Sequence, residues 1–524
     1  MTKAVIALTR HPWPTQAQAP EPDGPRVLVL APLSLEARAV RAGAPWAHVE
    51  RIGMGPHRAR RAASLTRRGP GGAVVIAGFC GALDPDLEPG DIVLASELRG
   101  PTGTTACPDP AILAGHLRRG GFHVRVGPVA SPQRLVVRER RRALQRTGAL
   151  AVDMESAWLA PDARAQPLVT LRVVLDTHRH ELHRPLRTMA GAARAYRALR
   201  GASALVEGWA GALGEREVVL AAPRASCAGV VRAVEIVERV LAERGAPVYV
   251  RKQIVHNAHV VSELERQGAV FVEEVDDVPE GATVIFSAHG VSPAVRAHAR
   301  ARGLDVVDAT CPLVAKVHAE ARRFAEAGHE IVLIGHEGHE EVQGTVGEAP
   351  ERTRIISSVE EVARLAPADP ERVAYLTQTT LAVDETAGVV DALRRRFPAL
   401  AGPSSDDICY ATQNRQDAVR ALAAECELVL VVGSENSSNS QRLVEVSERA
   451  GCPARLVGHA GDIEPNWLAG VTRVGLTAGA SAPEALVGDV VEALDGLGAV
   501  TISQRTVAEE DVHFKLPPRL RREH

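Results

Sequence analysis

Short runs of apolar residues alternate with stretches of helical periodicity along most of the chain. Arg26 to Pro32 (RVLVLAP) predicts a buried strand, and a helix from Leu33 follows it. Ala73 to Ala77 and Asp91 to Ala95 predict further strands, with glycines at the turns between them. The alternation pauses at Gly211 to Glu217 (GALGERE). It restarts with Val218 to Ala222 as a fresh first strand and continues, strand then helix, to about Ile502. Such a rhythm predicts an α/β protein with largely parallel sheets. The expected division is a flexible proline-rich leader over 1–25, a first domain over 26–211, a linker over 212–217, a second domain over 218–520 and a tail over 521–524.

Length agrees with two domains, since 524 residues exceed what one core usually holds. With 45% hydrophobic residues, 24% charged residues and a net charge of −3, the chain is neither disordered nor collagen-like. Nothing in that balance favours nucleic acid or an anionic membrane as a partner. No apolar run approaches membrane-spanning length, and the N-terminus lacks a signal-peptide pattern, so a cytoplasmic location is expected. Only four of the 61 basic residues are lysine (Lys3, Lys252, Lys316, Lys515). We attribute that skew to nucleotide composition and give arginine clusters little functional weight. Seven scattered cysteines argue against a disulfide framework and for a reducing compartment.

Three of those cysteines share one kind of position. Cys227 follows VVLAAPRAS, Cys311 follows LDVVDAT and Cys409 follows SSDDI; each precedes a helical pattern, and they are 84 and 98 residues apart. A helix N-terminus favours negative charge, so each position should favour the thiolate that ligates metal. Cys80, Cys107, Cys426 and Cys452 read as ordinary packing residues.

Polar chemistry gathers near the same places. VHNAHV supplies His256 and Asn257, FSAHGVSP supplies His289, and GHEGHEEVQGTVG supplies His336, His339 and Glu341. TQTTL supplies Thr379, GSENSSNSQR supplies Ser437, Ser438 and Asn439, and TAGASAP supplies Ser481. Several follow apolar runs directly, and strand carboxyl ends form the ligand crevice of an α/β sheet. Imidazole, hydroxyl and amide donors suit a multiply charged oxyanion such as diphosphate. A phosphate-binding GxxxxGK[ST] loop is absent.

From about Val218 to Leu520 these motifs, in this order, resemble the LytB-type 4-hydroxy-3-methylbut-2-enyl diphosphate reductases of the non-mevalonate isoprenoid pathway. The carriers are PRASCAGVVRAV, SAHGVSP, DATCPLVAKVH, GHEGHEEVQGTVGE, TQTTLAVDET, DDICYATQNRQ, GSENSSNS and TAGASAP. The resemblance implies three α/β subdomains around one [4Fe–4S] cluster held by Cys227, Cys311 and Cys409, with the fourth iron open to substrate. It implies no bound nicotinamide or flavin, and ferredoxin or flavodoxin as electron donor; it leaves the oligomeric state open. His256, His289, His339, Thr379, Ser437, Ser438, Asn439 and Ser481 would bind the diphosphate substrate. Glu341, with Thr379 and His339, would handle the hydroxyl and deliver the proton with which it leaves. Departures are few: Ser226 and Val231 replace a common aromatic and Asp, and HEE replaces HPE, placing Glu340 beside the acid. A redox sensor or binding module would keep the three cysteines but need neither cradle nor acid.

The first domain is less explicit. Glu36 follows a strand, RIGMGPHRA makes a glycine turn holding Arg58, and GFCGALDPDLEPGDIV contains two glycine-flanked turns. AVDMESAWLA carries Asp153, Met154 and Glu155, and TLRVVLDT ends in Asp176. Over about Arg26 to Gly211 these blocks resemble the purine-nucleoside phosphorylase and methylthioadenosine nucleosidase superfamily, including its hopanoid-associated phosphorylases. The resemblance implies a purine nucleoside substrate, with Glu155 and Met154 at the ribose. Asp176 would assist the leaving base by hydrogen bonding or protonation, and Glu36 stands where nucleosidases activate water. Attack by phosphate, with Arg58 as its ligand, and attack by water are both open.

Overall fold

A computed structural model describes residues 27–520 except 68–71, 137–138, 161–165 and 178–184. The leader over 1–25 and the tail over 521–524 lie outside the described residues. The chain divides into two compact units at Leu213 and Gly214. Within 212–217, residues 212–215 carry no helix or strand and lie between the end of the helix Pro185–Gly211 and the strand that begins at Arg216. Among the described residues no helix is long and apolar enough to cross a membrane.

Eight strands build the sheet of the first unit: β1 (Val27–Ala31), β2 (His48–Arg51), β3 (Ala73–Ala82), β4 (Ile92–Gly100), β5 (Gly103–Ala106), β6 (Val124–Ala130), β7 (Ala151–Val152) and β8 (Leu168–Asp176). Their order is β2-β1-β3-β7-β6-β4-β5, with β8 bridging β3 and β4. The first turn expected in GFCGA is not there. Gly78 and Gly81 lie inside β3, whose ten residues are all buried. Close approach explains both glycines. A Cβ on Gly78 would stand 2.5 Å from Arg172 Nη1 and 2.7 Å from Glu36 Oε1, and one on Gly81 would stand 2.8 Å from Arg141 Nη2.

The second unit opens with β9 (Arg216–Ala222). Next come β10 (Val248–Arg251), β11 (Ala269–Val272), β12 (Thr283–Phe286) and β13 (Asp305–Asp308), in the sheet order β11-β10-β12-β13. β14 (Glu330–Ile334), β15 (Thr353–Ile356) and β16 (Val373–Thr377) form a second sheet ordered β15-β14-β16. β17 (Leu428–Val432), β18 (Ala454–Val457), β19 (Arg473–Ala478) and β20 (Val500–Thr506) join β9 in the order β18-β17-β19-β9-β20. Every pairing in these three sheets is parallel. Strands such as LVLVV at β17 are buried throughout, as helices on both faces of a parallel sheet require. Each sheet has its own apolar core, exemplified by Ile285, Leu333 and Leu430. Three small α/β layers thus bring the carboxyl ends of several strands to one place.

Candidate functional site

In the second unit each of the three cysteines is the N-cap of a helix: Cys227 of Ala228–Arg244, Cys311 of Pro312–Glu326 and Cys409 of Tyr410–Ala423. All three line one cavity of about 110 Å³. Gly229 keeps the space between two of them open, since a Cβ there would lie 2.8 Å from Cys311 Sγ and 3.7 Å from Cys227 Sγ. The expected thiolate character is not found at Cys311 or Cys409. Burial, reinforced by the neighbouring sulfurs, pushes Cys311 up to about 12 and Cys409 up to about 11. Desolvation outweighs the helix ends here, so a bound cation has to draw these protons off. Three convergent sulfurs beside a gap that only glycine leaves open fit an iron–sulfur cluster better than a packed core.

The polar wall of the same cavity is formed by His256, His289, His339, Glu341, Thr379, Ser437, Ser438, Asn439 and Ser481, so these sequence candidates converge. His256 and His289 stack at 4.0 Å between ring centroids, with His339 edge-on at 5.7 and 6.0 Å. Burial and the neighbouring imidazoles lower His256 to about 3 and His339 to about 4. Both are therefore neutral rings near pH 7, each with one N–H to give. Ser437 caps the helix Ser438–Arg449 by accepting from Ser440 N, and Ser481 Oγ donates to the His256 carbonyl at 3.0 Å. Asn439 accepts from Ala480 N at 2.8 Å, while its buried Nδ2 has no partner.

Glu341 is 3% exposed. Its Oε1 accepts from Thr379 N at 2.7 Å and its Oε2 from Thr379 Oγ1 at 3.0 Å. Burial raises its pKa despite those bonds. Glu340 lies 3.3 Å from His289 Nδ1. Burial alone would raise Glu340, but the bond and charge of His289 hold it below its ordinary value.

Two further sequence candidates do not line the cavity. Asn257 caps the helix Ala258–Gln267, and His336 bonds Gln378 and Arg442. Conversely, Thr380, Thr412 and Phe514 line it and went unnoticed in the sequence. Thr412, whose Oγ1 lies 3.0 Å from Cys409 Sγ, was detectable as a hydroxyl one helical turn after a cysteine. Phe514 had no local signal.

In the first unit Glu36 sits near the start of the helix Ser34–Gly43. Its Oε1 accepts from Phe79 N at 2.6 Å and its Oε2 from Leu33 N at 2.5 Å. Burial raises it to about 7, against the pull of Arg172. Glu155, also raised by burial, accepts from Gly55 N at 2.7 Å and feels Arg172 and Asp153. Arg172 is 0% exposed and pairs with Asp153 at 2.7 Å, while its Nη1 has no hydrogen-bond partner. Asp176 closes β8 and pairs with Arg141 at 2.6 Å. Met154 adjoins Glu155, with its N–H 3.3 Å from Glu155 Oε2, whereas Arg58 is exposed beside Gly53. Arg172 and Arg141 were missed, although an arginine inside the apolar run LVTLRVVLD was a signal in plain view.

Fold and site together define, for the second unit, a three-sheet α/β protein that gathers three thiols and a polar cradle around one cavity. A family model for LytB protein matches residues 218–495, and one for the phosphorylase superfamily matches residues 39–208. The chain belongs to the LytB family, and it joins that region to the phosphorylase-superfamily region. The 4-hydroxy-3-methylbut-2-enyl diphosphate reductase 2 of Mycobacterium bovis is 58% identical over 314 residues, which cover 59% of this chain and 95% of that protein. The corresponding reductase of Leifsonia xyli subsp. xyli is 60% identical over 311 residues, 59% of this chain and 92% of that one. A solved structure of E-1-hydroxy-2-methyl-but-2-enyl-4-diphosphate reductase from Plasmodium falciparum is 38% identical, with a TM-score of 0.56, covering 59% of this chain and 97% of that chain.

Proposed function

We propose that the second unit reduces 4-hydroxy-3-methylbut-2-enyl diphosphate to isopentenyl and dimethylallyl diphosphates, and that the first unit cleaves the glycosidic bond of a purine nucleoside. The observation that carries the first reading is the convergence of Cys227, Cys311 and Cys409 with a buried acid and an imidazole–hydroxyl cradle in one cavity. Replacing the hydroxyl by hydrogen consumes two electrons and two protons and releases water. Cys227, Cys311 and Cys409 would hold a [4Fe–4S] cluster, which when bound supplies a Lewis-acidic iron and a path for electrons from ferredoxin or flavodoxin.

The chain's own residues supply the remainder. His256, His289 and the Ser437–Asn439 turn would donate hydrogen bonds to the diphosphate oxygens, joined by Ser481 when its hydroxyl turns from the His256 carbonyl. Asn439 Nδ2, buried without a partner, is a donor awaiting one. Val230, Val255 and Phe514 give the carbon skeleton an apolar wall. Glu341, whose pKa burial raises, is favoured in its protonated form and gives that proton to the departing hydroxyl; Thr379 orients it. Anaerobic purification, iron and sulfide analysis, and turnover with a reduced viologen test this reading. Loaded protein that forms no isoprenoid diphosphate would overturn it, and Cys311→Ser is expected to lose both cluster and product.

For the first unit, Glu155 would hold the ribose hydroxyls and Asp176, in its pair with Arg141, would accept a hydrogen bond from the departing base. A carboxyl at about 7 suits proton abstraction from water, so we read water as the nucleophile and Glu36 as its base. Release of free purine base without added phosphate supports this; strict dependence on phosphate refutes it.

A further inference from the structure

Two buried arginines connect the thiol cavity to a segment that follows the last strand. Arg415, 1% exposed, stands on the helix begun by Cys409. Its Nε and Nη2 donate to the Ala225 carbonyl at 3.1 and 2.7 Å, and its Nη1 donates to Glu510 Oε1 at 2.9 Å. Ala225, two residues ahead of Cys227, has φ of 59°, a left-handed conformation that alanine does not hold without support. Arg232, 9% exposed, stands on the helix begun by Cys227. Its Nε donates to the Lys515 carbonyl at 2.9 Å, and its Nη1 to the carbonyl of Thr310 at 3.1 Å, directly before Cys311.

Each guanidinium thus ties the backbone ahead of one cysteine to one point of the segment Val507–Leu520. The two ties, Glu510 and Lys515, flank Phe514, which borders the cavity. Between Val507 and Pro517 the segment has neither helix nor strand, and Asp511 and His513 are open to solvent. Its ends are anchored by the Val507 N–H on the Ala222 carbonyl and by the buried Leu520, with Leu516 packed beside it, so the two guanidinium ties act on the irregular stretch between them.

We propose that Val507–Leu520 is a strap over the three-thiol cavity, and that Arg415 and Arg232 are positioning residues coupling its order to the backbone geometry at Cys227 and Cys311. Coupling of this kind is reciprocal: whatever fixes the thiols orders the strap, and whatever frees the strap loosens the thiols. The inference goes beyond the proposed reduction, and its metal-free test does not depend on that reading.

The test uses the reduced, metal-free full chain carrying Glu510→Gln, which weakens one tie without touching a cysteine loop. Amide exchange of 507–520 and iodoacetamide alkylation of each cysteine, mapped by mass spectrometry, are the readouts. Strap exchange and Cys227 alkylation are both expected to rise about tenfold, as loss of one charge-assisted bond allows. Cys426 and Cys452 in the same unit should keep their rates. Faster strap exchange without faster Cys227 alkylation, or acceleration of all five second-unit cysteines together, would overturn the coupling. Arg232→Lys retains the charge but cannot span both carbonyls, and should expose Cys311 more than Cys227; the reverse order counts against the assignment. Reconstituting the unaltered protein with iron and sulfide should slow strap exchange. Unchanged exchange in loaded protein would refute reciprocity, whereas failure to load would bear on the reductase reading and leave the metal-free result standing.

Discussion

Glu36 in the first unit and Glu341 in the second are both buried, both raised by burial, and both held by a backbone N–H. Their second partners differ. Glu36 accepts from another backbone N–H, that of Leu33, and has Arg172 close by; its hydrogen-bond partners all donate and favour the anion, opposed by burial and by the nearby Glu155 carboxylate. Glu341 has a hydroxyl, Thr379 Oγ1, as its second partner and no arginine among the groups that perturb it. A hydroxyl can accept as well as donate, so it serves the acid before and after the proton leaves. The same residue type at similar burial thus has donors that favour the anion in one unit and a hydroxyl that can serve either form in the other, which suits the base and acid roles we propose for them.

The strongest way to break this comparison is to remove each carboxyl's proton chemistry while keeping its shape. Glu341→Gln is expected to lower isoprenoid diphosphate formation roughly 10²–10⁴-fold with iron content unchanged. Glu36→Gln should lower base release by about 10²-fold or more and leave the reduction alone. If either variant damages both activities equally, the assignment of separate roles fails. The pH dependences should also oppose each other. Base release needs Glu36 ionised, so its rate should climb as pH rises through about 7. Reduction needs Glu341 protonated, so its rate should fall as pH rises through that raised pKa. Parallel pH profiles on one preparation would contradict the pairing.

Stability gives a third and smaller test. Folding raises the Glu36 carboxyl from 4.5 to about 7. Between those values the native state keeps a proton that the unfolded chain has released, so stability falls as pH rises across that window. The full shift corresponds to about 3 kcal/mol. Hydrogen exchange of β3 amides in the full chain should show this slope, and Glu36→Gln should flatten it.

Much of this arrangement could be read from residue order. The three cysteine positions at strand-to-helix transitions, and the hydroxyl-rich turn GSENSSNS after LVLVV, follow from periodicity and turn chemistry, which are local properties. What could not be read is instructive. Arginines were discounted because the chain is rich in them, yet Arg172, Arg415, Arg141 and Arg232 are among its buried polar side chains. Abundance on a surface says nothing about a guanidinium inside a core, where it must be paired. Gly78 and Gly81 suggested turns because their real neighbours, Arg172, Glu36 and Arg141, are distant in sequence. The thiol protonation was misjudged because burial is a tertiary quantity and the helix-end effect a local one. Phe514 reaches the cavity only through a segment without periodicity.

The finest test of the comparison concerns the hydroxyl itself. Thr379→Val keeps the backbone N–H bond to Glu341 Oε1 and deletes the Oγ1 bond to Oε2. That bond lowers the Glu341 pKa, so its loss should raise it further and move the falling limb of the reduction profile to higher pH. The maximal rate should nevertheless drop about tenfold, since a carboxyl held at one oxygen is less well aimed; this corresponds to about 1.4 kcal/mol, the scale of one hydrogen bond. Thr379→Ser should restore both the rate and the limb. If valine lowers the rate but leaves the limb in place, Thr379 acts on the substrate rather than through Glu341. The contrast with Glu36, whose hydrogen-bond partners are both backbone donors, would then rest on the nearby Arg172.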